Sequence, residues 1–517
     1  MKTDKKKYPN AAAVINIASG GLSLHVAQLS RGKPKDLDVL SCALPLGHEV
    51  FTEGKISFES LREMSRALAG FAAKRKEYGV TRCRAVATTA LREAENRAFV
   101  LDQLKVQNGL DVEVLEADQE KTLIYSEILA TLSDAGALEA GCSLFAYIGS
   151  GTVGTAVYDG SAMILSRNIP IGALKLHDML GSIQETTDDF STVTEEYLAA
   201  TLNCDDLSRF DIRNVILTGG DMELIAKLCG PETGESGFAI PVEKLKDLYA
   251  AVRRLRADRI AQRYGVSEGA AETMYAALAI YLQIVGRTKV RRVLAPQVDL
   301  CDAVLSQMLL PKRRSGYEKQ RRVNALCCAR RIAENYGCSA SHAENVRKTA
   351  CVMFDQLKPL HGMGPDLRLV LELAAVLHDC GRYVTMRDDR RASFDVIRNT
   401  DVYGMTDRET LLTAYVARYN EYAVPDLRDA EFAALPERDR TAVAKLVAIF
   451  RLANALDKSR RQKIGRVGVK LTEDTMQVSA RSDESLFLEK WAFEQCAAFF
   501  KDVFGLSPVL KVKRNLA

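Results

Sequence analysis

Apolar and polar positions follow two different rhythms along this chain, and the rhythm changes near residue 311. Before that point, short apolar runs alternate with longer stretches at helical spacing. Residues 11–17 and 22–29 read as strands joined by Ala18-Ser19-Gly20-Gly21. Over residues 57–78, Leu61, Met64, Leu68 and Phe71 recur at the steps of one helix face. Residues 83–88 then predict a strand, 90–107 a helix, 112–115 a strand and 118–132 a helix. Alternation of this kind argues for a mixed sheet covered by helices.

The opening pattern then returns. Residues 143–148 and 155–158 predict strands around Gly149-Ser150-Gly151-Thr152. Ile15-Asn16-Ile17-Ala18-Ser19-Gly20 and Ala146-Tyr147-Ile148-Gly149-Ser150-Gly151 share one grammar of strand, glycine turn and strand. Two α/β halves that open alike suggest an internal duplication. A third turn, Leu217-Thr218-Gly219-Gly220-Asp221, follows a strand over 214–217 and leads into a helix.

Residues 311–322 are polar and basic and read as a linker. From there to residue 458 nearly every stretch has helical periodicity. Strands return over 465–471 and 475–479, with a helix over 484–499 and a strand over 508–512. The expected domains are α/β lobes over residues 1–135 and 136–312, a helical domain over 313–462 and a small α+β piece over 463–517.

Composition narrows the class. Of 517 residues, 47% are hydrophobic and 27% charged, the balance of an ordinary globular protein, and disorder over most of the chain is excluded. Lys+Arg is 71 against Asp+Glu 67, a formal charge of +4. No global basic field exists, which excludes a polyanion-coating protein and leaves room for a local basic groove. Two basic clusters flank the helical part: Lys312, Arg313, Arg314, Lys319, Arg321, Arg322, and Arg460, Arg461, Lys463, Arg466. Each is a candidate contact for a phosphate chain and equally a solvated linker or helix face. Trp occurs once and aromatic interleaving is absent, so no nucleic-acid partner is expected.

Twelve cysteines lack regular spacing and no CxxC occurs, which argues for buried thiols in a reducing cytosol. The apolar run over 11–15 is too short for a signal peptide and is interrupted by Asn16. The longest later run, 274–282, cannot span about 30 Å of hydrocarbon. The expectation is a soluble, cytoplasmic protein without a membrane partner.

Strand ends rich in small residues expose backbone N–H groups that can cradle phosphate oxygens. A single such turn is usually a plain connection between strands. Here Ser19, Gly20 and Gly21, then Gly149, Ser150 and Gly151, then Gly219 and Gly220 would face one another across a cleft between lobes. A phosphate chain held between them is the economical reading.

Several longer stretches carry a resemblance. Ala85-Val-Ala-Thr-Thr-Ala-Leu-Arg-Glu-Ala-Glu-Asn96, Gly109-Leu-Asp-Val-Glu-Val114, Glu120-Lys-Thr-Leu-Ile-Tyr125 and Ile169-Pro-Ile-Gly-Ala-Leu-Lys175 resemble the exopolyphosphatase / guanosine pentaphosphate phosphohydrolase (Ppx/GppA) family of the actin–sugar kinase–Hsp70 superfamily. Leu377-His-Asp-Cys-Gly381, Ile397-Arg-Asn-Thr-Asp401 and Leu452-Ala-Asn-Ala-Leu-Asp-Lys458 are similar to the HD-type domain of its longer members. The resemblance implies two actin-like (ribonuclease H-like) lobes, an all-helical HD-like domain and a small α+β tail. It implies a homodimeric hydrolase that uses Mg2+ to release terminal phosphate from inorganic polyphosphate or the guanosine polyphosphate nucleotide pppGpp. Glu120 falls on the glutamate that positions or deprotonates water, and Arg92 on the arginine that contacts phosphate. Gly149, Ser150, Gly151, Gly219 and Gly220 fall on phosphate-loop positions. His342, His378, Asp379 and Asp457 match the HD metal set, whose mixed shell suits Mn2+, Fe2+ or Zn2+.

The chain departs from that pattern at the acids. Asn16 and Tyr147 stand where the family's two turns begin with aspartate, and Gly154 stands in place of a glutamate. The family's Arg-Ala-Asp further on is here Gly269-Ala270-Ala271. Losing carboxylates should weaken Mg2+ binding. Asp389-Arg390-Arg391-Ala392-Ser393 stands where family members often carry a His-rich stretch. Three readings follow: a phosphohydrolase centred on Glu120, a binder of polyphosphate or nucleotide without turnover, and chemistry in the HD-like domain.

Overall fold

The computed structural model describes residue 8 and residues 10–184, 190–203, 207–230, 239–420 and 423–513, and the basic start over 1–7 lies outside them. The chain divides into two compact units, Met1–Arg321 and Arg322–Ala517.

In the first unit, β1 (Ala11–Ala18), β2 (Gly21–Ser30), β3 (Lys33–Ala43), β4 (Cys83–Ala87) and β5 (Val112–Val114) form one sheet in the order β3-β2-β1-β4-β5. A second sheet contains β6 (Cys142–Ile148), β7 (Val153–Tyr158), β8 (Met163–Ile169), β9 (Ile212–Gly219), β10 (Ala239–Pro241) and β11 (Arg292–Leu294) in the order β10-β11-β9-β6-β7-β8. Read from its other edge, β8-β7-β6-β9-β11 repeats the first sheet: two antiparallel pairings, then two parallel ones. The duplication suggested by two glycine turns is thus one of sheet topology. Each sheet has its own apolar core, with Ile17, Met64 and Leu91 in the first and Ile148, Leu217 and Ile280 in the second. These are the two actin-like lobes. The helix Leu300–Leu309 closes the first unit by packing on β1 and on the helix Ala117–Asp134.

Sequence periodicity misses four strands, β3, β8 and the three-residue β10 and β11, and the first two occupy the same place in the two repeats. β3 is a polar edge strand with little buried surface, and so lacks an apolar stripe. β8 turns Ser166 and Asn168 toward a buried lysine, so its inward face is partly polar. The helix expected over 90–107 is two, Thr89–Glu93 and Arg97–Asn108. Between them the Asn96 amide accepts from Ile56 N–H at 3.1 Å and donates to Ile56 C=O at 2.9 Å, which fixes a break. The expected linker over 311–322 is also helical, as the start of Pro311–Asn335. Its Pro311 suits a first helical position, and Arg313 pairs with Glu127 at 3.6 Å.

In the second unit the helices Ala340–His361, Pro365–Leu377, Asp407–Arg418 and Glu437–Ala455 pack together. Glu372 lies fully buried among them and accepts from Arg322 at 2.7 Å, Arg347 at 2.8 Å and Arg368 at 3.1 Å. The α+β end consists of β12 (Arg466–Leu471), β13 (Thr475–Arg481) and β14 (Ser507–Lys513), with the helix Phe487–Phe504 against β14. Among the described residues no helix is long and apolar enough to cross a membrane.

Candidate functional site

The turns at the ends of β1, β6 and β9 open onto one cleft of about 870 Å³ in the first unit. Ser19 and Gly20, Gly149 and Ser150, and Gly219 and Gly220 line it, together with Glu120. The first two turns touch, with Ser150 Oγ 2.7 Å from Ser19 Oγ. The structure does not bring Gly21, Gly151 or Arg92 to the cleft wall. Gly21 has φ 134°, and a Cβ there would strike the Cys42 carbonyl, so this glycine lets β3 close on β2. Gly172, in the Ile-Gly-Ala stretch, lies directly on the backbone of the second turn. The next residues hold that turn from behind: Ala173 N–H donates to Gly149 C=O at 3.0 Å, and Lys175 N–H to Ser150 C=O at 2.9 Å.

Glu120 sits in the first turn of the helix Ala117–Asp134 and is buried. Both its oxygens are engaged. The Tyr147 hydroxyl donates to Oε1 at 2.6 Å, and Arg92 Nη1 donates to Oε2 at 3.2 Å. Arg92 is itself aimed by Leu115 C=O at 2.8 Å and Thr89 Oγ1 at 2.9 Å. Burial, and then the Glu120 charge, push the Tyr147 phenol well above its usual range, so it stays a proton donor. Asn16 Oδ1 is buried at the cleft without a hydrogen-bond partner. Asp221, next after the third glycine pair, also lines the cleft and accepts from Thr273 Oγ1 at 2.6 Å. Burial raises its carboxyl. Sequence reading passed over Asp221, although an acid directly after a Gly-Gly turn was the available signal.

The second unit gathers its four predicted metal residues. His342 and His378 have ring centroids 5.3 Å apart, and both Nε2 atoms are buried without a hydrogen-bond partner. Their other nitrogens are held, His342 Nδ1 by Asp457 Oδ2 at 2.8 Å and His378 Nδ1 by Ala375 C=O at 3.0 Å. This arrangement leaves the two Nε2 lone pairs for a ligand. Burial keeps the His378 imidazole below its usual pKa, hence neutral. The carboxylates are otherwise employed. Arg460 donates to both oxygens of Asp379, at 2.5 and 2.8 Å. Gln462 donates to both oxygens of Asp457, at 2.8 Å through its backbone and 3.1 Å through its amide. Arg460 and Gln462 are non-glycine residues with φ 58° and 48°. His342, His378 and Asp379 can still share an ion, while Asp457 acts through His342. The nearby basic residues are mostly paired, Arg461 with Glu484 at 3.4 Å and Lys463 with Glu489 at 3.6 Å.

Comparison with known proteins now bears on these sites. The model of the Ppx/GppA phosphatase family matches residues 25–309, and that of Ppx/GppA phosphatase domain III matches residues 326–496. The chain belongs to the Ppx/GppA phosphatase family. It is 18% identical over 452 residues to a guanosine-5'-triphosphate,3'-diphosphate pyrophosphatase of Photobacterium profundum, covering 85% of this chain and 84% of that protein. The solved exopolyphosphatase of Cytophaga hutchinsonii is similar with 19% identity and a TM-score of 0.51, over 58% of this chain and 98% of that one. That likeness is one of fold.

The departures from the Ppx/GppA pattern have local structural accounts. Tyr147 and Gly154 are direct cross-strand partners in the β6–β7 pair. Acids at both places would set two like charges opposite each other, an arrangement that asks for a cation. Here one place holds a hydroxyl donor. At the other, a Cβ would come within 2.8 Å of Lys121 Cδ. Lys121 is buried, and its Nζ reaches Ser166 Oγ at 2.7 Å, Asn168 Oδ1 at 2.9 Å and Asp118 Oδ1 at 2.8 Å. A resident ammonium thus lies beside the place of the missing glutamate.

Proposed function

We propose that the cleft of the first unit hydrolyses the terminal phosphoanhydride of inorganic polyphosphate or of pppGpp. The observation that carries this reading is Glu120, a buried carboxylate held rigid at the wall where three glycine turns converge. The turns supply N–H groups for phosphate oxygens, and Ser19 and Ser150 supply hydroxyls. Water attacks the terminal phosphorus, the bridging P–O bond breaks, and orthophosphate and a chain shorter by one phosphate leave. A carboxylate that already accepts from Tyr147 and Arg92 is fixed in position by them. Its part is to orient the water, which a loose phosphoryl transition state demands more than it demands proton removal. Asn16 Oδ1 and Asp221 are the oxygens at hand for the water shell of Mg2+, and the ion itself would neutralise charge on the phosphates. With Tyr147 and Gly154 in place of acids, the phosphate chain would be the main carrier of that ion.

The test is phosphate release from polyphosphate and pppGpp with Mg2+. Glu120→Gln should lower kcat by about a hundredfold or more. Release no higher than background from the native chain, or unchanged release from the variant, would sink the reading. Binding without turnover is favoured by one observation, the Tyr147 hydroxyl on Glu120 Oε1, where water would otherwise sit. Tyr147→Phe separates the two: it raises release if the hydroxyl restrains an active site, and leaves saturable binding without release if the site only binds. The reading includes a cytoplasmic homodimer. Eleven described cysteines are free thiols, in keeping with a reducing compartment.

A further inference from the structure

A buried arginine in the second unit lacks the acceptors its charge requires. Arg451, on the helix Glu437–Ala455, is 5% exposed, and its Nε and Nη1 have no hydrogen-bond partner. The guanidinium lies 5.6 Å over the Phe499 ring, a contact that offsets only part of the cost of burying a charge. Arginine cannot escape that cost by losing its proton. The side chain lines a small pocket of about 30 Å³ between its own helix and Phe487–Phe504. Asn454 and Lys458 line one side, and Trp491 and Gln495 the other. Both charged residues at this wall, Arg451 and Lys458, are cations. Trp491 stands at the rim and is 47% exposed.

We propose that this pocket binds an oxyanion, a phosphate or carboxylate group, on the Arg451 fork. Nε and Nη1 lie on opposite edges of the guanidinium and each forms a fork with Nη2, so a pair of oxygens on one ligand group is matched by Nη2 together with one of the two. The amides of Asn454 and Gln495 can donate to the remaining oxygens. The volume admits one terminal oxyanion, and any larger body of the ligand lies outward over Trp491. The site is separate from the cleft of the first unit and does not depend on the hydrolysis proposed there.

Trp491 is the single tryptophan of the chain, so its fluorescence reports this pocket alone. The full chain is titrated at constant ionic strength with inorganic phosphate, pyrophosphate, acetate and chloride. A saturable change in Trp491 emission with phosphate, pyrophosphate or acetate, absent with chloride, is the expected result. Which of them acts tells phosphate from carboxylate. Arg451→Met should abolish the response, and should also remove any rise in melting temperature that the anion gives the native chain. Should that variant fail to fold, Arg451→Lys serves, with binding about tenfold weaker because a point charge replaces the fork. A response shared equally by chloride, or retained at native affinity in a folded Arg451 variant, overturns the proposal. So does the absence of any response, or an Arg451-dependent self-association that puts a second copy's carboxylate in the pocket.

Discussion

Tyr147, Gly154 and Lys121 form one unit of substitution. Tyr147 and Gly154 look like isolated losses along the chain, yet the β6–β7 register sets them opposite each other, and Lys121 fills the space beside the glycine. The departures themselves were legible as missing acids. What replaced them was not, because it depends on a cross-strand pairing and on a helix residue that meets the strand only after folding. The arrangement makes a prediction for stability. Gly154→Ala should cost about 1–3 kcal/mol by overpacking against Lys121. In a Lys121→Ala background the same change should cost markedly less, since the clashing carbons are gone. Thermal melts of the two singles and the double measure the coupling, and equal costs in both backgrounds would refute the account. Arg92 shows the same limit. The resemblance set it on a phosphate-contacting arginine, while its hydrogen bonds to Leu115 C=O, Thr89 and Glu120, which hold that glutamate, were not legible.

At the scale of elements, most strands with an apolar face were legible, while helices such as Val242–Val252 and Glu268–Val285 were not singled out despite theirs. Two of the missed strands, β3 and β8, are the same element in the two repeats, and each carries polar side chains for its own local reason. A repeat seen in two glycine turns could have predicted both. The helix Leu300–Leu309 adds an electrostatic consequence. Asp299 caps it, accepting from Asp302 N–H at 2.8 Å, and Asp302 accepts in return from Asp299 N–H at 3.1 Å. Burial, and then the Asp299 charge, push the Asp302 carboxyl up to about 7. An unfolded aspartate titrates near pH 4, so between about pH 4 and pH 7 the native state binds more protons than the unfolded state. Stability therefore falls as pH rises through that window. Asp302→Asn keeps an acceptor for the cap and removes the titration, so its melting temperature should depend less on pH over the same range. Parallel pH profiles for the native and variant chains would contradict this.

At the scale of the whole molecule, a formal charge of +4 concealed how much of the charge is internal. Arginines that read as a free basic cluster are committed: Arg322 to Glu372, Arg460 to Asp379 and Arg313 to Glu127. The two repeated lobes and the helical body were legible, because periodicity and turn spacing are written in residue types. The pairing of buried charges was not, because the partners come from distant parts of the chain. Arg460 gives the measurable case. Its guanidinium neutralises the one carboxylate that His342 and His378 could recruit for an ion. Arg460→Met should bind Zn2+ or Mn2+ at least about tenfold more tightly, since a bound cation no longer competes with an internal one. Equilibrium dialysis with metal analysis reads this, His378→Ala in the same background should cancel the gain, and unchanged affinity would refute it.

The turn that carries Arg460 and Gln462 has one more effect. Two left-handed residues close together bring a guanidinium and an amide onto the two acids of this cluster, so neither carboxylate waits bare for an ion. The helical unit is thus supplied with its own permanent counter-charge. Its fold should be indifferent to chelators: melting with and without EDTA should coincide for the native chain, and added Zn2+ should raise the melting temperature more once Arg460 is replaced.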